Sequence, residues 1–181
     1  MKFKLVVFLA VLLAAMTAAV SAQTTVAQEQ TTYLLGEVKM SSPQGQPYGS
    51  SISLVKRTLK PAENKIVEQV LSLDAKSAQE YTTVFVVKDA KFTVRDDEKT
   101  FEGDGELTGK AWSWTGWKYT VNLIGERKGK LIAEDVLTET GLTVKKSFYS
   151  PDGVLRVIFS EDLKPISKEM YELLHAKLLS K

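Results

Sequence analysis

Residues 101–119 read FEGDGELTGKAWSWTGWKY and carry the strongest structural signal of the chain. In the first half of this segment, Glu102, Asp104 and Glu106 alternate with apolar or glycine residues. This period of two is typical of a β-strand with one polar and one apolar face. The acidic residues lack the D-x-[DN]-x-[DN]-G order of a calcium loop, so we expect them to face solvent.

The same segment predicts a hairpin. Gly109-Lys110 has the chemistry of a two-residue turn, which would place Gly105 opposite Trp114 on the neighbouring strand. The small glycine would then leave room for the indole. The apolar phase changes from even to odd positions after Trp114, so we expect a β-bulge near Gly116 that returns all the rings to one face.

Four aromatic side chains of this hairpin are the candidate ligand-binding residues: Trp112, Trp114, Trp117 and Tyr119. Three indoles within six residues bring a large apolar volume to one place. One interpretation is that the rings fill a core, which is the commoner use of buried aromatic residues. The other is that some of them line a pocket for an apolar or aromatic ligand.

Upstream and downstream, short β-prone runs alternate with turn signals, the clearest of which is Ser150-Pro151-Asp152-Gly153. Residues 63–73 also fit a helical spacing, but their β-branched residues favour a strand. The predicted strands are 33–40, 50–59, 65–73, 80–94 (as one bent strand), 101–108, 111–124, 130–138, 142–150 and 154–160.

The end of the chain predicts an α-helix over about 167–179. Ser167 has the chemistry of an N-cap, and Ile166 and Tyr171 have the spacing of a hydrophobic staple. An apolar stripe is expected to pack against the sheet, and it consists of Met170, Leu173, Leu174 and Leu178.

Eight to ten strands with short local connections predict a mostly β, antiparallel up-and-down meander. Closure into a barrel removes the two exposed edges of such a sheet. We therefore expect a barrel with a C-terminal α-helix. A two-sheet sandwich and an open curved sheet with the helix in its concavity are the alternatives.

The first 22 residues have the organisation of a signal peptide. Lys2 and Lys4 precede an apolar run of about twelve residues, too short for the roughly 20 of a membrane anchor, and Val20-Ser21-Ala22 fits a cleavage site. We expect a soluble mature chain that starts at Gln23, with a flexible leader over 23–32 and a single domain over 33–181. Its localisation would be periplasmic or secreted.

Composition excludes several classes of function. Without cysteine there is no disulfide, thiolate nucleophile or Cys-based zinc site. His175 is the only histidine, and no nucleophile-elbow or phosphate-binding motif occurs. The mature chain would be formally neutral, which does not favour nucleic-acid binding. We expect no metal, no cofactor and no catalytic residue, with the oligomeric state open.

The signal peptide, the meander, the glycine- and tryptophan-rich hairpin and the closing helix together resemble the calycin superfamily of lipocalin-like barrels, in the form of bacterial exported proteins. The true lipocalin Gly-x-Trp near the mature N-terminus is missing here. The resemblance implies a barrel whose interior binds a small apolar molecule.

Three functions follow as hypotheses. The first is non-enzymatic binding of a small hydrophobic molecule in the barrel. The second is an interaction or structural module of the cell envelope with a filled core. The third is a barrel cyclase or isomerase that uses carboxylates and aromatic walls.

Overall fold

A computed structural model describes residues 27–74, 77–96, 101–124 and 128–179. The predicted signal peptide and cleavage site lie outside these residues. Within these residues the fold consists of ten strands and one α-helix, here called α1. They are β1 (Gln30–Ser41), β2 (Pro47–Lys60), β3 (Lys65–Leu73), β4 (Ala78–Lys88), β5 (Lys91–Asp96), β6 (Phe101–Lys110), β7 (Ser113–Leu123), β8 (Gly129–Thr138), β9 (Gly141–Tyr149), β10 (Leu155–Pro165) and α1 (Lys168–Leu179).

The strands form a closed antiparallel barrel, as predicted. Each strand pairs with the next one along the chain, and β1 pairs with β10 to close the sheet. The pairing of β1 with β10 leaves no edge strand in the barrel. The sandwich and the open curved sheet are therefore wrong for this chain.

Some strand limits differ from the prediction. The bent strand over 80–94 is two strands, β4 and β5, that pair in a tight hairpin around Asp89 and Ala90. Asp89 has a φ of 59°, a left-handed conformation that Asp adopts more readily than most residues. Strand β1 begins at Gln30, inside the range expected to be leader, and β3 confirms the strand favoured over 65–73.

The hairpin of β6 and β7 has the predicted partners but another register. Gly109 pairs with Trp114 and Lys110 with Ser113, so the turn lies at Ala111-Trp112 and not at Gly109-Lys110. Trp112 takes the left-handed turn conformation, with a φ of 59°. The predicted pairing of Gly105 with Trp114 is consequently wrong.

The predicted bulge is present. Thr108 pairs with Gly116 while Gly109 pairs with Trp114, which leaves Thr115 unpaired. Beyond the bulge Gly105 pairs with Tyr119, and a Cβ on Gly105 would overlap Phe92 and Tyr119. The glycine thus makes room for a ring, as expected, but the ring belongs to Tyr119.

Large side chains fill one end of the barrel, here called the filled end. It carries the turns after β2, β4, β6 and β8. Its buried cluster contains Leu59, Ile66, Phe85, Val87, Phe92, Val94, Leu107, Trp114, Trp117, Tyr119, Val121 and Ala133. Phe85, Phe92 and Tyr119 meet edge to face, with ring centroids 5.1 to 5.9 Å apart.

Helix α1 lies against the outer surface of the barrel. The Ser167 hydroxyl accepts a hydrogen bond from the Met170 amide at 3.2 Å, which confirms the N-cap. The predicted stripe is wrong in part, because Met170 and Leu173 are exposed. The buried face consists of Tyr171, Leu174 and Leu178, which pack with Ile166 over Leu54 and Leu71 of β2 and β3. No helix in the described part of the chain is long and apolar enough to cross a membrane.

Candidate functional site

The barrel interior contains a cavity of about 560 Å³ next to the filled end. This volume falls within the ~300–1,000 Å³ of pockets that hold small organic ligands. Gln79 and Glu80, both exposed residues at the start of β4, belong to its wall, so the cavity reaches the barrel surface there. The aliphatic side chains of its wall are those of Val55, Val70, Val121, Leu123, Leu131, Leu142, Val144 and Leu163.

Charged side chains share this wall with the aliphatic ones. Two are basic, Arg57 and Lys146. Five are acidic: Glu68, Glu80, Asp96, Asp135 and Glu161. An ionised group in a low-dielectric interior is unfavourable unless a partner compensates it, so the buried charges of this wall need partners.

Arg57 is the centre of one ionic cluster. Its guanidinium is 2% exposed and contacts the Glu68 carboxylate, and its Nη2 donates a hydrogen bond to Asp135 Oδ2 at 3.2 Å. The guanidinium carbon also lies 4.1 Å from the centroid of the Trp117 ring, a cation–π contact. One cation is therefore shared by two carboxylates and one aromatic face.

The polar atoms of this cluster are not all paired. Among the described residues, Arg57 Nε and Nη1 and Asp135 Oδ1 are buried without a hydrogen-bond partner, and so is Trp117 Nε1. A buried polar atom without a partner lowers stability by about 1–3 kcal/mol. The cluster is thus a place where the fold retains polar groups at a loss of stability.

A second ion pair lies further along the cavity. Lys146 Nζ donates to Glu161 Oε1 at 2.6 Å, and the Lys146 side chain is 24% exposed. Burial alone lowers the pKa of Lys146, but the Glu161 carboxylate and the nearby Tyr119 raise it well above its usual range. Lys146 is therefore held as a cation and not as a nucleophilic amine.

Burial also changes the acid–base properties of the carboxylate beside Arg57. It raises the pKa of Asp135 from 3.8 to about 7, although the Arg57 charge acts in the opposite direction. The Glu68 carboxylate adds to the upward shift. Burial likewise raises the pKa of Tyr119 well above its usual range, so this phenol stays neutral.

The sequence contains a signal for these interior charges that the hairpin-based prediction did not use. In each of five strands, a charged residue takes a position of the inward, apolar phase. Arg57 stands between Val55 and Leu59, and Glu68 stands between Ile66 and Val70. Asp135, Lys146 and Glu161 repeat the pattern in β8, β9 and β10.

The structure separates the four predicted site residues. Tyr119 is part of the cavity wall. Trp114 and Trp117 are 4% and 1% exposed in the filled end, and Trp117 approaches the cavity only through its contact with Arg57. Trp112 lies at the hairpin turn and packs edge to face on Trp114, with centroids 4.7 Å apart.

The helix meets the rim of the cavity through its histidine. His175 is half-buried, stacks on Tyr171 and lies within 2.9 Å of Glu80 Oε1. His175 is therefore a partly buried helix residue in contact with one carboxylate. Across residues 27–179, leaving aside the undescribed gaps, no group of three or more acidic or histidine side chains is arranged to hold a metal ion.

Comparison with known proteins identifies a relative in fold. The chain superposes on the crystal structure of Rv2717c from M. tuberculosis with a TM-score of 0.54 and 8% sequence identity, over 81% of this chain and 96% of that one. No protein-family model matches the sequence. No curated protein matches it either. At 8% identity, this likeness shows the fold alone.

Proposed function

We propose that this protein binds a small, largely apolar molecule inside its barrel, as a carrier or sensor without enzymatic activity. The observation that carries the proposal is the cavity of about 560 Å³, with eight aliphatic side chains in its wall. A module that used only its outer surface would have no need of such a space. Membership of the calycin superfamily belongs to the same proposal, supported by the closed meander.

The arrangement of the interior supports binding over packing. The filled end supplies one apolar core, and a second buried cluster lines the cavity with five of its aliphatic side chains, Val55, Val70, Leu142, Val144 and Leu163. Transfer of a ligand's apolar surface onto this wall provides about 25 cal/mol per Å² removed from water. Of the predicted indoles, that of Trp117 contacts the site, because its ring packs against Arg57 in the cavity wall.

A cavity-filling variant tests the proposal. Val144→Trp places a large side chain in the cavity, whereas Lys145→Trp adds the same side chain to the exposed outer face of β9. Binding of the neutral fluorophore N-phenyl-1-naphthylamine should be lost in the first variant and kept in the second. Melting curves of both variants establish that each is folded, and Val70→Phe replaces Val144→Trp if that variant is not.

Unchanged binding in a folded cavity-filling variant would place the fluorophore elsewhere and contradict the proposal. Native mass spectrometry of the protein purified from its own host is the complementary measurement. A small molecule that co-purifies supports the carrier function. A discrete protein partner with no small molecule favours the envelope module.

Export is part of the proposal, because the n-region, the short apolar run and Val20-Ser21-Ala22 fit a signal peptide. N-terminal sequencing of the protein from a fractionated host should give Gln23 as the first residue, in the periplasm or the medium. An intact Met1 in the cytoplasm would contradict it.

A further inference from the structure

The cavity wall has an excess of acidic over basic side chains, and this excess concerns the polar end of any ligand. The two basic residues of the wall both have carboxylate partners already. Arg57 contacts Glu68 and Asp135, and Lys146 contacts Glu161. A carboxylate brought in by a ligand would find no uncommitted cation among the described wall residues.

Asp135 is the acidic side chain of the wall whose charge is least compensated. It is 2% exposed, it lies in the cavity wall, and its Oδ1 has no hydrogen-bond donor within the described residues. Its other oxygen shares one guanidinium with Glu68. The raised pKa of Asp135, caused first by burial and then by the neighbouring acids, is consistent with negative charge that Arg57 does not fully compensate.

Trp117 limits what Arg57 can do for an anionic ligand. The guanidinium carbon lies 4.1 Å from the indole centroid, so one face of the group is covered by the ring. Its Nη2 is engaged by the two carboxylates, and Nε and Nη1, which have no hydrogen-bond partner among the described residues, belong to the same guanidinium. An anion near Arg57 would therefore also be near Glu68 and Asp135, and like charges at close range in a poorly solvated site repel strongly.

We propose that the cavity binds amphiphiles whose polar end is an organic cation, such as a protonated amine, with Asp135 as the group that receives it. This rests on the proposed function, because it specifies the ligand class of the same cavity. The ammonium would donate to Asp135 and restore charge balance beside Arg57, while the apolar chain would lie along Val55, Val70 and Val144.

A matched series of ligands tests the proposal. A straight-chain primary amine, alcohol and carboxylate of one chain length compete for bound N-phenyl-1-naphthylamine near neutral pH, below their micelle concentrations. We expect the amine to bind more tightly than the alcohol, and the alcohol more tightly than the carboxylate. The amine should exceed the carboxylate by at least about tenfold, which equals 1.4 kcal/mol.

Two charge-neutralising variants assign the preference to its residue. Asp135→Asn should bring the amine-to-carboxylate ratio down by at least about fivefold. Glu134→Gln removes a carboxylate from the exposed outer face of the same strand and should leave the ratio unchanged. If Asp135→Asn does not fold, Glu68→Gln tests the same cluster.

The outcomes separate this inference from the proposed function. Binding of the alcohol without any preference for the amine, or a preference for the carboxylate, would overturn the inference and leave cavity binding standing. An equal ratio in Asp135→Asn, Glu68→Gln and the unmodified protein would also overturn it. Failure of all three amphiphiles to displace the fluorophore would also overturn the inference, whereas the cavity-filling variants decide the proposed function.

Discussion

Trp114 and Trp117 lie three residues apart in β7 but have different contacts in the barrel. Trp114 packs against Trp112 and the apolar residues of the filled end. Trp117 presents its ring to the Arg57 guanidinium and so connects the apolar core with the ionic cluster. The indoles that the sequence groups together are thus one packing residue, one residue that supports a charge, and one turn residue, Trp112.

Replacement of Trp114 by alanine should leave a cavity in the filled end. Trp114 is 4% exposed, and aromatic-to-alanine changes at such positions lower the free energy of unfolding by about 3–5 kcal/mol. Lys118→Ala, on the exposed face of the same strand, should change it by less than about 0.5 kcal/mol. Urea denaturation of both variants gives the two values, and a loss under about 1 kcal/mol in Trp114→Ala would mean that the ring is not part of the packed core.

Removal of the Arg57 charge should lower the free energy of unfolding more than removal of an exposed arginine. Arg57→Met leaves Glu68 and Asp135 buried without their cation, for which a loss of about 3–5 kcal/mol is expected. Arg156, whose ion pair with Asp152 is exposed, provides the control, because such pairs contribute only about 0–1 kcal/mol. The combination of Arg57→Met with Glu68→Gln and Asp135→Asn should recover stability, as measured by urea denaturation. Failure to recover it would indicate that packing, and not charge, makes Arg57 important.

The residues of each turn decided which strand ends could be predicted from the sequence. The turn after β9 contains proline, aspartate and glycine, and the structure has the Gly153 amide donating to the Ser150 carbonyl at 2.8 Å. The turn between β4 and β5 contains only Asp89 and Ala90, so 80–94 read as one strand. Gly109-Lys110 has the residues of a turn, but the chain turns at Ala111-Trp112. The bulge at Thr115 then shifts the pairing register of β6 and β7.

Helix α1 has two apolar faces, and only one of them packs. The sequence could not distinguish them, since Met170 and Leu173 are as apolar as Leu174 and Leu178. The choice depends on Ile166 and on the ring of Tyr171, which contacts Tyr33 with centroids 5.1 Å apart. Contact with the barrel, and not helix periodicity, therefore sets the orientation of the helix.

Truncation of a single side chain on each face of α1 tests this orientation. Tyr171→Ala removes a ring that is 8% exposed and should lower the melting temperature by several degrees, since ~1 kcal/mol corresponds to ~2–4 °C in a domain of this size. Leu173→Ala, at 64% exposure, should leave it unchanged within error. Equal melting temperatures for the two variants would mean that the helix does not stabilise the barrel.

Closure of the barrel brings together charged side chains from three different strands. Arg57, Glu68 and Asp135 lie on β2, β3 and β8, and closure of the barrel places β8 across the interior from the first two strands. The sequence predicts that each of these residues faces inward if its phase is followed. It does not predict which of them meet, because this depends on the number of strands and on the register at the closing pair, β1 and β10.

The buried carboxylate should make the stability of the whole domain depend on pH. Asp135 has a pKa of about 7 when folded and an ordinary value of 3.8 when exposed. Between these values the folded chain retains a proton that the unfolded chain has lost, so the free energy of unfolding falls as the pH rises through this window. Above the folded pKa the loss is complete, and below pH 3.8 it is absent.

Asp135→Asn cannot titrate, so its stability should fall less between about pH 4 and pH 7 than that of the unmodified protein. Asp104→Asn, on the exposed face of β6, should keep the original slope. Urea denaturation across this range gives the three curves, and the difference between each variant and the unmodified chain cancels the groups that titrate in all of them. Parallel curves for Asp135→Asn and the unmodified protein would mean that the Asp135 carboxyl has the same proton affinity folded and unfolded. In that case Arg57 would fully compensate its charge, and the cavity wall would lack the excess of negative charge on which recognition of a cation depends.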